Sequence, residues 1–129
     1  MSAERFFLFL GALAALIGVG AGAFGAHALK AQLSAEMLAV FETGVRYQMY
    51  HALALCLTSW ICARWQGRML LAAGCAFAVG IALFSGSLYL LALTGVSRLG
   101  LITPFGGVAM LIGWGCLAWG ALTAERRPR

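Results

Sequence analysis

The chain contains no asparagine and no aspartate, and glutamate provides all four of its acidic side chains. Calcium and magnesium are held mainly by carboxylate, amide and carbonyl oxygens, so a dedicated site for either ion is not expected. Charged residues are also scarce, at 10% of the chain against 63% hydrophobic residues, and the mean hydropathy is +0.93. Because so little polar surface is available to cover a soluble domain, the composition predicts an integral membrane protein.

Catalytic and metal-binding motifs are missing as well. The sequence has no HExxH or GxSxG motif, no Gly-rich loop between strand and helix, and no pair of carboxylates within an apolar segment. His27 and His51 lack a third ligand that would make them a copper or zinc site. The four cysteines occur in apolar runs without CxxC spacing, which is typical of buried free thiols: Cys56, Cys62, Cys75 and Cys116. We therefore predict that the protein is not an enzyme and binds no cofactor or metal.

Long apolar runs organise the 129 residues as a single membrane domain, since a span needs roughly 20 apolar residues. The predicted spans are residues 6–26, 47–63, 69–93 and 101–122. Residues 34–46 are too polar to span, and they begin with Ser34 as a helix N-cap and Glu36 in the first turn. The predicted fold is an all-α membrane protein, a four-helix bundle of transmembrane helices with a short interfacial amphipathic helix between spans 1 and 2 and a bend at Gly44.

Small residues recur at three- and four-residue steps on two of these spans, a pattern that permits close approach of another helix. One such stripe on the first span consists of Gly11, Ala15, Gly18 and Gly22, and one on the third consists of Gly74, Ala78, Ala82 and Gly86. We expect one stripe to serve internal packing and the other to serve a partner.

The basic residues predict the orientation. Six lie at the N-terminus, in the 64–68 connection and in the tail: Arg5, Arg64, Arg68, Arg126, Arg127 and Arg129. The opposite side carries Lys30, Arg46 and Arg98. Because cytoplasmic loops are enriched in Lys and Arg, both termini are predicted to be cytoplasmic.

Polar residues concentrate in the segment FETGVRYQMYHALAL, residues 41–55, on the predicted outer side. His51 is four residues past the start of its predicted span, or about 6 Å deep by the helical rise. The candidate polar cluster or ligand site consists of His27, Glu42, Arg46, Tyr47, Gln48, His51, Ser87, Tyr89, Arg98 and Thr103. The cluster is interpreted either as an interhelical hydrogen-bond network or as a shallow site for a lipid headgroup, a quinone or another small amphiphile. A proton path is disfavoured because the inner half offers only thiols, Thr58 and Ser59.

Four segments carry a resemblance that covers nearly the whole chain. These are GAFGAHALK at 22–30, FETGVRYQMYHALAL at 41–55, FSGSLYLLALTGVSRLGLITPFGG at 84–107 and IGW at 112–114. In this order they resemble the domain of unknown function 423 family, which includes the YgdD- and YwdK-like proteins and a vertebrate transmembrane relative. The resemblance implies a four-helix protein of the bacterial inner membrane and implies no established activity.

Two functions follow as hypotheses. The first is a structural or accessory subunit of a membrane assembly. The second is a binder or carrier of a lipid, quinone or other small amphiphile, with Arg46, Tyr47, His51 and Tyr89 in a pocket open to the outer leaflet. The expected partners are membrane lipids and either further copies of the chain or a larger membrane complex, and no nucleic acid.

Overall fold

Four α-helices account for most of the structure, a computed structural model that describes residues 1–126. They are α1 (Ala3–His27), α2 (Ala35–Cys62), α3 (Arg68–Thr94) and α4 (Thr103–Thr123). Short 3₁₀ turns at Leu29–Ala31 and Ser97–Leu101 join α1 to α2 and α3 to α4. Two short strands, β1 (Trp65–Gln66) and β2 (Glu125–Arg126), pair antiparallel.

Three helical stretches are long and apolar enough to cross a membrane: Ala3–Ala31, Arg68–Thr94 and Ser97–Thr123. They include the predicted first, third and fourth spans. The second predicted span lies in α2, which is not among these three stretches, so this span is not confirmed. The helix content is therefore as predicted, while the role of α2 as a fourth span stays a prediction.

The structure does not separate an interfacial helix from the second span. Ser34 caps the helix as expected, with its Oγ accepting from the Met37 amide at 3.2 Å, but the helix then runs without interruption to Cys62. Gly44, where a bend was predicted, is buried inside this helix. A Cβ at that position would lie 2.9 Å from the Tyr89 ring, so the glycine provides room for α3 and does not end a helix. The prediction of two separate elements was wrong, and an interfacial location for residues 34–46 is not confirmed.

The helices pack in chain order as a row. α1 packs on α2, α2 on α3, and α3 on α4, whereas α1 touches α3 only slightly. Within residues 1–126, no comparable contact joins α1 to α4. The predicted four-helix bundle is thus not confirmed, because the first and last helices form the two edges of the row and do not close it.

The edge helices each bury one narrow stripe with a glycine at every seventh position. On α1 the stripe consists of Phe7, Gly11, Gly18 and Gly25, and on α4 it consists of Gly106, Met110, Gly113, Leu117 and Gly120. Seven residues are close to two helical turns, so glycines at this spacing stay on the side that faces the neighbouring helix. The stripe on α4 was not predicted.

The two predicted small-residue stripes have different surroundings. Gly11 and Gly18 lie against Cys56 and Met49 of α2, Gly22 lies near Val45, and Ala15 is half-buried. On α3, Gly74 lies against the ring of Phe7. The other three residues of that stripe line an open groove between α1 and α3: Ala78, Ala82 and Gly86.

One end of the molecule gathers the N-terminus, the α2–α3 connection and the chain after α4. Trp65 pairs with Arg126 and Gln66 with Glu125 across the two strands. Ser59 near the end of α2 donates to the Glu4 carbonyl of α1 at 2.6 Å. This is the grouping on which the orientation was predicted, although Arg127 and Arg129 of that set lie outside the described residues.

Candidate functional site

A single amide side chain joins three helices. Gln48 is only 4% exposed, and its Nε2 donates to the Ala14 carbonyl of α1 at 2.8 Å. Its Oε1 accepts from the Tyr89 hydroxyl of α3, also at 2.8 Å. Gln48 can reach both neighbours because it follows buried Gly44 by one helical turn on the same face of α2.

A second contact between α2 and α3 lies one turn away. Ser85 is fully buried, and its Oγ donates to the Gly44 carbonyl at 2.7 Å. The ring of Tyr89 packs on Phe41 with 4.8 Å between centroids. The Ser85–Gly44 bond and the two Gln48 bonds give hydrogen-bond partners to buried polar side chains between α2 and α3. Buried polar groups in proteins are normally paired in this way.

His51 lies on the side of α2 that faces α4 and is 5% exposed. Its Nδ1 is 2.7 Å from the Tyr47 carbonyl oxygen, and its Nε2 is 3.2 Å from the indole Nε1 of Trp114 on α4. A carbonyl only accepts and an indole N–H only donates, so Nδ1 carries the proton and Nε2 is the acceptor. The imidazole is therefore assigned as the neutral Nδ1–H tautomer, with both nitrogens engaged. The lone pair that a metal ion would need is already occupied.

Aromatic rings surround this imidazole. The ring of Tyr47 stacks on it at 6.2 Å, and the rings of Phe77 and Trp114 lie 5.7 Å and 6.1 Å away. Phe77 and Trp114 also meet edge to face at 5.0 Å, a favourable aromatic geometry.

Two hydroxyls join α3 to α4. Ser87 donates to the Phe84 carbonyl at 3.0 Å and lies 2.7 Å from the Thr103 hydroxyl. Because the one proton of Ser87 is used on the carbonyl, we assign Thr103 as the donor of the second bond.

The candidate residues do not form one layer but three separate contact groups. These are Gln48 with Tyr89, His51 with Tyr47, and Ser87 with Thr103. The four remaining candidates are exposed side chains: His27, Glu42, Arg46 and Arg98.

The four-residue pocket of the second hypothesis is also divided. Tyr47 and His51 line a groove of about 410 Å³ between α2 and α4, together with Phe84, Gly107, Met110, Leu111 and Trp114. Tyr89 and Gln48 belong to a different, almost wholly apolar groove of about 260 Å³ between α1 and α3. Arg46 lies apart from both, beside Glu42 and Val45. Gln48 and His51 are three residues apart on α2, yet Gln48 bonds to Ala14 of α1 while His51 bonds to Trp114 of α4.

The predicted depth of His51 below the membrane surface stays a prediction. Because α2 begins at Ala35, His51 lies about 24 Å along it by the helical rise, and its partner Trp114 lies about 16 Å into α4. Trp114 is the contributor that sequence reasoning did not include in the site. The signal for Trp114 was available as an indole N–H well inside an apolar run, where it needs an acceptor.

Comparison with known proteins identifies the family. Residues 21–107 match the family model described as protein of unknown function (DUF423). The chain belongs to this family. It is 48% identical over 111 residues to the UPF0382 membrane protein YwdK of Bacillus subtilis (strain 168), covering 85% of this chain and 90% of that protein. It is also 47% identical over 116 residues to UPF0382 membrane proteins of Staphylococcus aureus (strain bovine RF122 / ET3-1) and Staphylococcus saprophyticus. These matches cover 85% of this chain and 89% and 91% of the two relatives. No solved structure matches the chain.

The region that matches the DUF423 model contains most of the polar contacts described above. Gln48, His51 and Tyr89 fall inside residues 21–107, whereas Trp114 lies beyond the matched segment. The names of the relatives describe membrane proteins, which agrees with the apolar helices. Among residues 1–126 no group of three or more metal-binding side chains is found.

In this DUF423 protein, replacing Tyr89 by phenylalanine is expected to lower the free energy of unfolding by about 1 kcal/mol. The substitution removes the hydroxyl that donates to Gln48, and interhelical hydrogen bonds in membranes average about 0.6 kcal/mol with a maximum near 1.7. Unfolding by sodium dodecyl sulfate in mixed micelles, followed by far-UV circular dichroism, measures the change. Tyr50→Phe is the control, because it removes the same hydroxyl group from a tyrosine that is 55% exposed.

A double-mutant cycle with Gln48→Leu separates this bond from other effects. A coupling free energy between the Tyr89 and Gln48 positions of about 0.6 to 1.7 kcal/mol is expected. Strictly additive effects would contradict the bond between the two side chains.

Proposed function

We propose that this protein is a non-catalytic structural or accessory subunit of a membrane assembly in the bacterial inner membrane, with both termini in the cytoplasm. The observation that carries the proposal is that its buried polar side chains are satisfied within the chain itself. Gln48, His51 and Ser85 each bond to another helix or to backbone. A side chain whose hydrogen-bonding groups are all engaged stabilises the fold and leaves little capacity to bind a polar substrate.

The open arrangement of the helices supports a partner. Since α1 and α4 are the edges of a row, each has a broad apolar face with no neighbour within residues 1–126. Leu16 of α1 is 71% exposed, and Val108 of α4 is 53% exposed. In a membrane such faces contact lipid or the helices of another subunit. Both edges of the row are available for contact with another subunit.

The orientation is supported by the basic residues that the structure brings to one end. Arg64 and Arg68 flank β1, Arg126 belongs to β2, and Arg5 lies in the first turns of α1. The opposite end carries Lys30, Arg46 and Arg98 as its basic residues among those described. Accumulation of arginine on one side favours the cytoplasm for that side.

Photo-crosslinking in cells tests the subunit proposal. A photoreactive amino acid is placed at Leu16 or at Val108 in protein expressed at its native level. The expected result is a covalent protein adduct of discrete, larger mass at one of these two edges. This adduct should disappear when an exposed residue beside the photoreactive position is changed to a bulkier one. The control position is Phe77, which is 0% exposed and should give no adduct. Recovery of the chain alone and monomeric from both edge positions would contradict the proposal.

An amphiphile binder is the second candidate, favoured by the aromatic groove of about 410 Å³ beside His51. If this is the function, native mass spectrometry of the purified protein will show a retained lipid or quinone. Leu111→Trp, at the groove, will then release it, whereas Leu122→Trp on the 81% exposed face of the same helix will not. A protein that retains nothing in the groove and gives the edge adduct supports the subunit function.

A further inference from the structure

The end of the molecule opposite His27 contains a small apolar groove next to arginine side chains. The groove has a volume of about 230 Å³ and is lined by Ile61, Trp65, Gly120, Ala121 and Ala124. It lies between the end of α2 and the end of α4, apart from the polar contacts described above.

Backbone pairing places a positive charge on the wall of this groove. Trp65 pairs with Arg126 across the two strands, and the Arg126 guanidinium lies over the Trp65 ring at 5.3 Å. Arg64, the residue before Trp65, has its guanidinium 4.2 Å from the Trp60 ring centre. Arg64 also donates to the Trp60 carbonyl at 3.3 Å, which uses only one of its five N–H groups. Both arginines therefore keep donors for an external acceptor.

Two acidic residues of the described chain lie at the same end, Glu4 and Glu125, and neither lines the groove. Glu125 precedes Arg126 in β2, and successive strand residues point to opposite faces, so its carboxylate faces away from Arg126. Glu4 lies on α1, which does not line the groove. The wall next to the groove is thus cationic and the groove itself is apolar.

We propose that this groove holds one acyl chain of an anionic phospholipid, whose phosphate is bound by Arg126 and Arg64. The apolar lining suits a hydrocarbon chain, and guanidinium groups suit a phosphate, which they bind with charge-assisted hydrogen bonds. Trp60 and Trp65 are placed as aromatic side chains are at membrane interfaces, with their rings between the hydrocarbon and the headgroups. The occupant is a lipid and not a free anion because the groove requires an apolar segment next to the negative charge.

Native mass spectrometry of the full-length protein in detergent tests this proposal. The protein is titrated with dioleoyl phosphatidylglycerol and, separately, with dioleoyl phosphatidylcholine, which carries no net charge. Retention of one phosphatidylglycerol in preference to phosphatidylcholine is expected. Changing both Arg64→Gln and Arg126→Gln should weaken phosphatidylglycerol binding about 25-fold, from roughly fivefold per arginine.

The matched control removes two positive charges from the opposite end with Lys30→Gln and Arg46→Gln. It should change phosphatidylglycerol binding less than threefold. Equal losses in the two double variants would mean that only net charge matters and would overturn the site. An absence of preference between the two lipids would overturn it as well.

A groove-filling variant tests the acyl chain without altering charge. Ala121→Trp should weaken phosphatidylglycerol binding at least tenfold, and Ala118→Trp, one turn earlier on α4 and outside the groove, should not. Glycerol phosphate, which has the phosphate but no acyl chain, should not displace the lipid at millimolar concentration. Displacement by glycerol phosphate, or full binding to Ala121→Trp, would show that a bare anion site is present and would overturn the lipid proposal.

Discussion

Replacing Gly106 by alanine is expected to destabilise the protein by about 3 kcal/mol, the upper part of the range for overpacked helix contacts. A Cβ at this position would collide with the backbone nitrogen and Cα of Phe84 on α3. Backbone atoms cannot rotate away as a side chain does, so α3 and α4 would have to separate along their length. That separation would also pull apart the neighbouring Ser87–Thr103 bond of 2.7 Å.

Gly115→Ala is the control for this experiment. Gly115 lies on the same helix with nothing within 4 Å of an added Cβ. Its substitution should leave the free energy of unfolding unchanged or raise it by up to about 1 kcal/mol through reduced backbone entropy of the unfolded chain. Both variants are measured by unfolding in mixed micelles with circular dichroism. Equal unfolding midpoints for the two would show that α3 and α4 are not as close at Gly106 as described.

Gly106 and Gly115 illustrate which packing contacts of α4 can be predicted from the sequence and which cannot. Both glycines occur in the same apolar run, and composition alone treats them alike. A period of seven residues distinguishes them, because Gly106 and Gly113 share the buried stripe while Gly115 does not. The seven-residue glycine period of this stripe is visible in the sequence, but the sequence does not indicate which helix the stripe packs against.

The extent of each helix was predictable where one property decides it. Continuous apolar runs predicted α1, α3 and α4, since length and hydrophobicity suffice to indicate a span. For α2 two signals conflicted, because the polar residues before Tyr47 suggested a separate element while helical propensity continued through them. In the structure α2 is one helix, and Gly44 within it packs against the ring of Tyr89, which belongs to a helix more than forty residues later.

The candidate site shows the same limit. Residue type correctly indicated that Gln48, His51 and Tyr89 would need partners, because polar groups in an apolar chain must be satisfied. Which partner each would find depends on angles around the helix axis and on the order of the helices. A closed bundle would have brought the polar residues toward one centre, whereas a row divides them between the α1 side and the α4 side of α2.

Replacing Phe77 by alanine is expected to cost about 3 to 5 kcal/mol, the usual range for removing a buried phenylalanine. Phe77 is 0% exposed, and its ring packs against both the His51 imidazole and the Trp114 indole. Loss of the ring leaves a cavity next to the only contact that His51 makes with α4 among the described residues. Phe105→Ala is the control of the same residue type, because Phe105 is 70% exposed and its loss should change the free energy of unfolding by less than about 1 kcal/mol.

A second substitution shows that the cost arises from packing between α3 and α4. A Cβ at Gly113 would lie 2.6 Å from the Phe77 ring, so Gly113→Ala should destabilise the parent protein by about 1 to 3 kcal/mol. In the Phe77→Ala background the same methyl group enters the vacated space, and its cost should largely disappear. A coupling free energy of about 1 to 3 kcal/mol between the two positions is expected, and additive effects would contradict the contact. Because neither substitution alters a hydrogen-bonding group, such a result would show that packing of the Phe77 ring against Gly113 holds α3 and α4 together.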